Sequence, residues 1–152
     1  MKKVLFVALI SMTFFACKKD SSKTLTNFKI TSVIINSIPD ATDPLGWDPG
    51  NGKPDVYFKI KDINNNLLYS YSNYFPNASS SSFPIYFELA NAFQITNTSA
   101  TFKLEIWDYD TPDPDDFAGS VSFSMDEYTD GHPTTFTRTS GNLSVTVNGS
   151  WY

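Results

Sequence analysis

The stretch EIWDYDTPDPDDFAG, residues 105–119, places five aspartates within nine positions, directly after a segment of alternating apolar residues. In that segment, residues 102–107, every second side chain is apolar, which is the pattern of a strand buried on one face. Asp108 and Asp110 continue the same parity, so both carboxylates are expected on the buried face, just beyond the end of the sheet. Two carboxylates about 4 Å apart repel by roughly 1 kcal/mol even in bulk water.

A divalent cation would turn this repulsion into attraction, and the loop suits Ca²⁺. Ca²⁺ takes six to eight oxygen ligands and tolerates irregular geometry. Pro112 and Pro114 restrict the backbone and lower the cost of ordering the loop on binding. An EF-hand is excluded, because its sixth position would be Asp113 where glycine is needed, and its twelfth would be Gly119 where glutamate is needed.

The rest of the chain shows the same two-residue periodicity in short segments. Eight such segments with turn signals between them predict an all-β fold, an eight-stranded antiparallel β-sandwich. Helix is nearly absent, and residues 89–94 and 126–130 are each expected to form at most one turn. The predicted strands are Phe28–Ile35, Val56–Lys61, Leu67–Phe75, Phe83–Leu89, Phe102–Trp107, Val121–Met125, Thr134–Arg138 and Leu143–Val147.

The acidic loop resembles the third loop of Ca²⁺-binding C2 domains, which reads roughly D-x-D, an acidic residue or serine, an aspartate, two apolar residues and a glycine. Phe117-Ala118-Gly119 opens the next strand as it does in that family, and Asp115 lies off the ligand spacing. The resemblance covers about residues 28–138 and implies Ca²⁺ coordination. The implied ligands at relative positions 0, 2, 5 and 8 are Asp108, Asp110, Asp113 and Asp116.

A second segment resembles the end of the family's first loop, D-P-Y-V-K-V. Here it reads DVYFKI from Asp55, without the proline. The family's other first-loop aspartate stands six residues earlier, where this chain has Pro49, while Asp48 stands seven earlier. The resemblance therefore implies Asp55 and Asp48 as ligands, with Asp40 and Asp43 as alternatives to Asp48.

An additional strand at the carboxyl end, Leu143–Val147, points to the circularly permuted C2 topology. In that topology, the last strand occupies the slot that the first strand takes in the other type. Both acidic loops are then expected to meet at one tip of the sandwich.

The amino terminus has the features of an export signal. A short basic start precedes the apolar run Val4–Phe15, which is shorter than the roughly 20 residues of a membrane-spanning helix and fits the core of a signal peptide. The run stops just before Cys17, the only cysteine of the chain. This arrangement resembles a bacterial lipoprotein lipobox, with Phe14 in place of the usual leucine.

The lipobox resemblance implies residues 1–16 as a cleaved signal peptide, 17–27 as a lipidated tether and 28–152 as the C2-like domain. Cys17 would carry a diacylglyceryl thioether and a fatty acyl group such as palmitate, and two or more chains anchor stably where one does not. Lys18, in place of the aspartate that retains lipoproteins at the inner membrane, favours the outer membrane. The alternative is an ordinary secreted protein with a free thiol.

Charge limits the classes of partner. The mature chain would hold 9 basic and 16 acidic residues, a net charge of −7, which argues against nucleic acid and against unaided attraction to anionic lipid. Lys59, Lys61 and Lys103 are too few for a polybasic lipid site. A protein or glycan partner at the cell envelope is thus favoured over a second membrane, and a phospholipid ligand at the Ca²⁺ loops stays open as an alternative.

Two other functions remain open, a structural envelope lipoprotein without metal binding and a small hydrolase that uses the acidic cluster. An enzyme is not expected. A carboxyl acting as a general acid needs an apolar pocket that raises its pKa, and this loop offers the opposite environment. His132, the only histidine, stands beside Pro133 without a recognisable nucleophile motif.

Overall fold

The computed structural model describes residues 25–40, 47 and 52–152. Within these residues, eight strands form two four-stranded antiparallel sheets, which confirms the predicted β-sandwich. The first sheet has the order β4-β1-β8-β7 and the second β3-β2-β5-β6. The strands are β1 Phe28–Ser37, β2 Val56–Asp62, β3 Leu67–Ser70, β4 Ile85–Ile95, β5 Thr101–Asp108, β6 Asp116–Ser124, β7 Thr135–Ser140 and β8 Leu143–Trp151.

Several sequence predictions concern residues outside this description. The signal peptide 1–16, the tether residues 17–24 with Cys17, and the candidate ligands Asp43 and Asp48 all fall there. These predictions stay predictions.

Strand β1 keeps its apolar side chains in the core although their spacing changes within the strand. Phe28 and Ile30 are fully buried, as are Val33 and Ile35, so the buried parity changes within the strand. The change coincides with a register shift between Ile30 and Ser32 in the pairing with β4 and with β8. Opposite β8 this is a bulge of one residue in β1, which returns the apolar side chains to the core. Opposite β4 the irregularity is larger, because residues 89–92 of β4 stand against Thr31 alone.

The core between the sheets is rich in aromatic contacts, and one of them supports the surface described below. Phe58 of β2 is fully buried and meets Phe87 of β4 across the two sheets, with 5.6 Å between ring centroids. Tyr69 and Tyr71 stack on Phe58 at 5.8 and 5.4 Å. The segment that follows β3 is therefore tied to the centre of the core.

The third predicted strand, Leu67–Phe75, is too long, because β3 ends at Ser70. The chain then leaves the sheet, and Phe75 returns to it by exchanging two backbone hydrogen bonds of 2.8 Å with Val56. Ser72 and Asn73 lie in the segment that leaves the sheet. Their side chains favour turns, because they bond to nearby backbone groups in competition with a sheet ladder.

The prediction of a helical turn at residues 89–94 is wrong. This segment continues β4, where Gln94 and Ile95 pair with Lys29 and Phe28 of β1. Pairing with a neighbouring strand overrides the weak local preference. The second expected turn is confirmed by a single 3₁₀ turn at Met125–Tyr128. Across the described ranges, no helix has the length and apolar character needed to cross a membrane.

Candidate functional site

The start of β2 and the end of β5 lie side by side, which brings the two predicted acidic loops together. The antiparallel register pairs Val56 with Asp108. The carboxylate of Asp108 accepts a hydrogen bond of 2.5 Å from the backbone N–H of Asp55. The backbone N–H of Tyr109 in turn donates to the carbonyl of Asp55 at 2.9 Å. Asp55, at the end of the first loop, and Asp108, at the start of the third, thus meet at one end of the second sheet.

Asp108 is fully buried at the end of the apolar face of β5, where the parity of the sequence places it. Its cross-strand partner on β6 is Asp116, which is exposed. Like charges directly opposite one another destabilise a strand pair. The sheet therefore ends in a carboxylate pair whose repulsion a bound cation would relieve.

Three further carboxylates face a common space beside this pair. A cleft of about 400 Å³, which we call the acidic cleft, is lined by Asp55, Asp110 and Asp113 together with Tyr74 and Tyr109. The carboxylate of Asp55 is held by a 2.8 Å hydrogen bond from the backbone N–H of Asn77. Asp55 is thereby fixed between the β5–β6 loop and the β3–β4 connection.

The donor set of the acidic cleft fits Ca²⁺, which prefers several carboxylate oxygens in an irregular shell. The side chains do not converge as they stand. Among the described residues, no group of three or more histidine, cysteine, aspartate or glutamate side chains is arranged so that it could hold a metal ion. Asp55 and Asp108 each direct one oxygen to a backbone N–H.

The remaining candidates lie elsewhere. Asp40 is exposed and lines a separate cavity with Trp47 and Lys53. Trp47 itself packs against the core. The structure therefore does not bring Asp40 into the acidic cleft.

Asp115 has a different role from its neighbours. It accepts hydrogen bonds from the hydroxyl of Tyr57 and, at 3.4 Å, from the backbone N–H of Asp110. The ammonium of Lys59 lies 3.5 Å from the same carboxylate. Asp115 therefore attaches the β5–β6 loop to the outer face of β2, and it supports the loop from outside the ligand pattern.

The contact between Tyr57 and Asp115 shifts the pKa of both side chains. Burial and the hydrogen bond to Asp115 raise the pKa of Tyr57 well above its ordinary value, so the hydroxyl remains a donor at all physiological pH values. Burial opposes ionisation of Asp115, but the hydrogen bonds from Tyr57 and from the amide of Asp110, together with the charge of Lys59, outweigh it. The pKa of Asp115 is therefore lowered.

We expect Asp115→Asn to destabilise the fold by about 1 kcal/mol at neutral pH, since it weakens one charge-assisted hydrogen bond and a partly exposed ion pair. A carboxyl with a lowered pKa stabilises the folded state above its unfolded pKa, near 3.9, and loses this effect as the pH falls through its folded pKa. The difference between wild type and variant should shrink below about pH 4. Urea unfolding between pH 3 and 7 measures it, and a difference independent of pH would contradict this account.

Sequence reasoning missed the contribution of the β3–β4 connection. This connection supplies Tyr74 to the wall of the acidic cleft and the backbone N–H of Asn77 to Asp55. The connection holds no acidic residue between positions 71 and 84, so no charge pattern marks it. The partners of Asp115 were missed for a related reason, because Tyr57 and Lys59 are more than fifty positions away along the chain.

A family model describing the C2 domain matches residues 36–139, more than half of the chain. The chain belongs to the C2 domain family. C2 domains are commonly membrane- or lipid-binding modules, many bind Ca²⁺, and they are generally not catalytic. No curated protein matches the sequence significantly.

Solved C2-domain structures resemble this one at low sequence identity. A structure of the paired C2 domains of extended-synaptotagmin 2 aligns with a TM-score of 0.50 and 15% identity, over 97% of this chain and 48% of that one. Human GIVD cytosolic phospholipase A2, in complex with methyl gamma-linolenyl fluorophosphonate, aligns with a TM-score of 0.49 and 13% identity over 82% of this chain. This chain spans only 16% of that phospholipase chain and less than half of the synaptotagmin one.

The strand order agrees with the permuted C2 topology expected from the sequence. Strand β8 lies inside the first sheet, between β1 and β7. It pairs with β1 from Phe28 opposite Trp151 to Ser37 opposite Ser144. The carboxyl-terminal strand thus completes this C2 domain from the interior of a sheet.

Proposed function

We propose that this protein is a lipid-anchored module of the bacterial cell envelope whose C2 domain binds Ca²⁺ in the acidic cleft and, through the ion, a partner. The observation that carries the proposal is that aspartates distant in sequence lie around one end of the second sheet. Asp55, Asp110 and Asp113 line one cleft beside the buried Asp108. Asp116 stands opposite Asp108 at the same end of the sheet.

These five aspartates would hold the ion, with Asp48 or Asp43 of the first loop as further candidates. Bound Ca²⁺ supplies positive charge to which an anionic oxygen of a partner can coordinate. The backbone N–H of Asp55 donates a hydrogen bond to the carboxylate of Asp108, which links the start of β2 to the end of β5 beside the cleft. Asp110 and Asp113 lie on the β5–β6 loop, and their side chains would close on the ion by rotation.

The anchor and the location rest on the sequence. The apolar run that ends at Cys17 supports lipidation of that cysteine, and Lys18 supports the outer membrane as the destination. A protein or glycan of the envelope is favoured as the partner over a second membrane. The tip of the β5–β6 loop is Pro112-Asp113-Pro114, which offers no large apolar side chain for insertion into a bilayer.

Calorimetric titration of the full-length protein, kept in a neutral detergent and freed of metal by a chelator, tests Ca²⁺ binding. We expect saturable heat with Ca²⁺ and much weaker binding of Mg²⁺, which demands an octahedral shell and gives up its waters reluctantly. Absence of heat up to millimolar Ca²⁺ would contradict the proposal. Equal affinity for both ions would indicate screening of charge without a built site.

A second candidate is a structural envelope lipoprotein that binds no metal. One observation favours it, namely that within the described part of the chain no three acidic or histidine side chains are arranged to hold an ion. The same titration separates the two functions, because the structural protein should bind neither ion.

A further inference from the structure

A second concavity lies on the outer face of the second sheet, next to the acidic cleft. Its volume is about 780 Å³, and it runs between β2, the segment that leaves the sheet after β3, and the β5–β6 loop. We call it the tyrosine groove, because the described residues that line it include Tyr57, Tyr71, Tyr74 and Tyr109. Its volume lies in the range of sites that bind small molecules.

The exposed rings of the groove contact one another and a buried ring. Tyr74 and Tyr109 are 44% and 41% exposed, and their rings stack with centroids 4.8 Å apart and planes at 15°. Tyr57 is buried beneath them and meets Tyr109 edge-on at 6.4 Å. Tyr71 packs against Phe58 of the core. These contacts restrict the rings in part, which lowers the conformational entropy that is lost when a ligand covers them.

The polar groups of the groove carry no net charge. Of the described residues that line it, Lys59 is the basic one and Asp115 the acidic one, and their charged atoms lie 3.5 Å apart. The ammonium of Lys59 also lies 4.1 Å from the centroid of the Trp107 ring, so it makes a cation–π contact in addition to the ion pair. Ser72 and Asn73 add uncharged hydrogen-bonding groups. A phosphorylated or otherwise polyanionic ligand finds no unpaired cation among these residues.

We infer that the tyrosine groove binds a neutral oligosaccharide. A sugar ring has an apolar C–H face, which packs on an aromatic ring, and a rim of hydroxyls that both donate and accept hydrogen bonds. Tyr74 and Tyr109 supply the aromatic surface, and Ser72 and Asn73 supply uncharged donors and acceptors. The paired Lys59 and Asp115 offer a donor and an acceptor to hydroxyls without a charge preference.

The inference goes beyond Ca²⁺ binding and does not depend on it. The groove and the acidic cleft share Tyr74 and Tyr109, but the carboxylates of Asp55, Asp110 and Asp113 line only the cleft. Saccharide binding is therefore expected in the presence of a chelator. Its failure would leave the Ca²⁺ titration unaffected, and a failed Ca²⁺ titration would leave saccharide binding unaffected.

The experiment is a titration of the full-length protein in excess chelator with hexasaccharides of β-1,4-glucose, α-1,4-glucose, β-1,4-xylose and β-1,4-N-acetylglucosamine. The detergent should be a polyoxyethylene, because maltoside detergents carry a sugar that would compete. We expect at least one hexasaccharide to bind with a Kd of about 1 mM or below. Tyr74→Ala and Tyr109→Ala should each weaken binding about tenfold or more, as expected for an aromatic anchor.

Tyr86→Ala is the matched control, because Tyr86 is 67% exposed on the first sheet, away from the groove. It should leave the affinity unchanged, and melting curves establish that each variant is folded. Tyr74→Phe keeps the stacked ring and should retain most of the binding. The inference is overturned if none of the four saccharides binds, if inositol hexakisphosphate binds in their place, or if Tyr74→Ala and Tyr109→Ala bind as well as wild type.

Discussion

Saturating Ca²⁺ should raise the melting temperature of the wild-type protein by roughly 10 °C, and Asp110→Asn should remove most of this rise. A ligand at 100 times its Kd stabilises the folded state by about 2.7 kcal/mol, which corresponds to a shift of that order for a domain of this size. Asp110 lines the acidic cleft with Asp55 and Asp113. Asparagine keeps the shape and one oxygen of the side chain but removes the charge that attracts the ion.

Without Ca²⁺, Asp110→Asn should be as stable as wild type or slightly more stable, since one negative charge has left the cleft. Asp115→Asn is not an inert control, because Asp115 bonds to Tyr57 and to the backbone of Asp110. Asp130→Asn is better suited, as Asp130 is exposed in the connection after β6, at the opposite end of that strand from Asp116. If Asp110→Asn and Asp130→Asn reduced the Ca²⁺-induced rise in melting temperature equally, the effect would come from the total charge of the protein.

Gly149→Val should destabilise the fold by about 3 kcal/mol, near the upper end of the usual cost of overpacking. Gly149 lies on β8 opposite Ile30 of β1. A Cβ atom at this position would overlap the carbonyl oxygen of Lys29 and would stand 2.5 Å from the ring of Phe28. The first contact is with backbone and the second with a fully buried ring, so neither can move without disturbing the sheet or the core.

Urea unfolding measures this cost, and Ser150→Ala serves as the neighbouring control. Ser150 pairs with Lys29 in the same ladder but is only partly buried, so its truncation should change the free energy of unfolding by no more than about 0.5 kcal/mol. If Gly149→Val were equally mild, the close approach of β8 to β1 would not exist in solution.

The sandwich could be predicted from the sequence because its buried strands alternate clearly. In β5, the apolar residues of one parity are all buried, and Asp108 continues their face. What could not be predicted depends on partners distant in sequence. The end of β4 has no strong strand pattern of its own, and Gln94 joins the sheet because Lys29 of β1 lies beside it.

The candidate site shows the same division. The spacing of Asp108, Asp110, Asp113 and Asp116 is local and could be compared with a known loop. The anchoring of Asp115 could not be anticipated, because it requires the register that places Tyr57 and Lys59 on the outer face of β2. The end of β3 at Ser70 could not be predicted either. Tyr71 and Phe75 resemble strand residues, and only Ser72 and Asn73 between them favour a turn.

The stacked pair of Tyr74 and Tyr109 forms part of two walls, one in the acidic cleft and one in the tyrosine groove. A ligand that fixes this pair from one side also fixes the surface seen by a ligand on the other side. Binding free energies obey thermodynamic reciprocity. Any factor by which Ca²⁺ changed the Kd of a saccharide would equal the factor by which the saccharide changed the Kd of Ca²⁺, so that either one would act as an allosteric effector of the other.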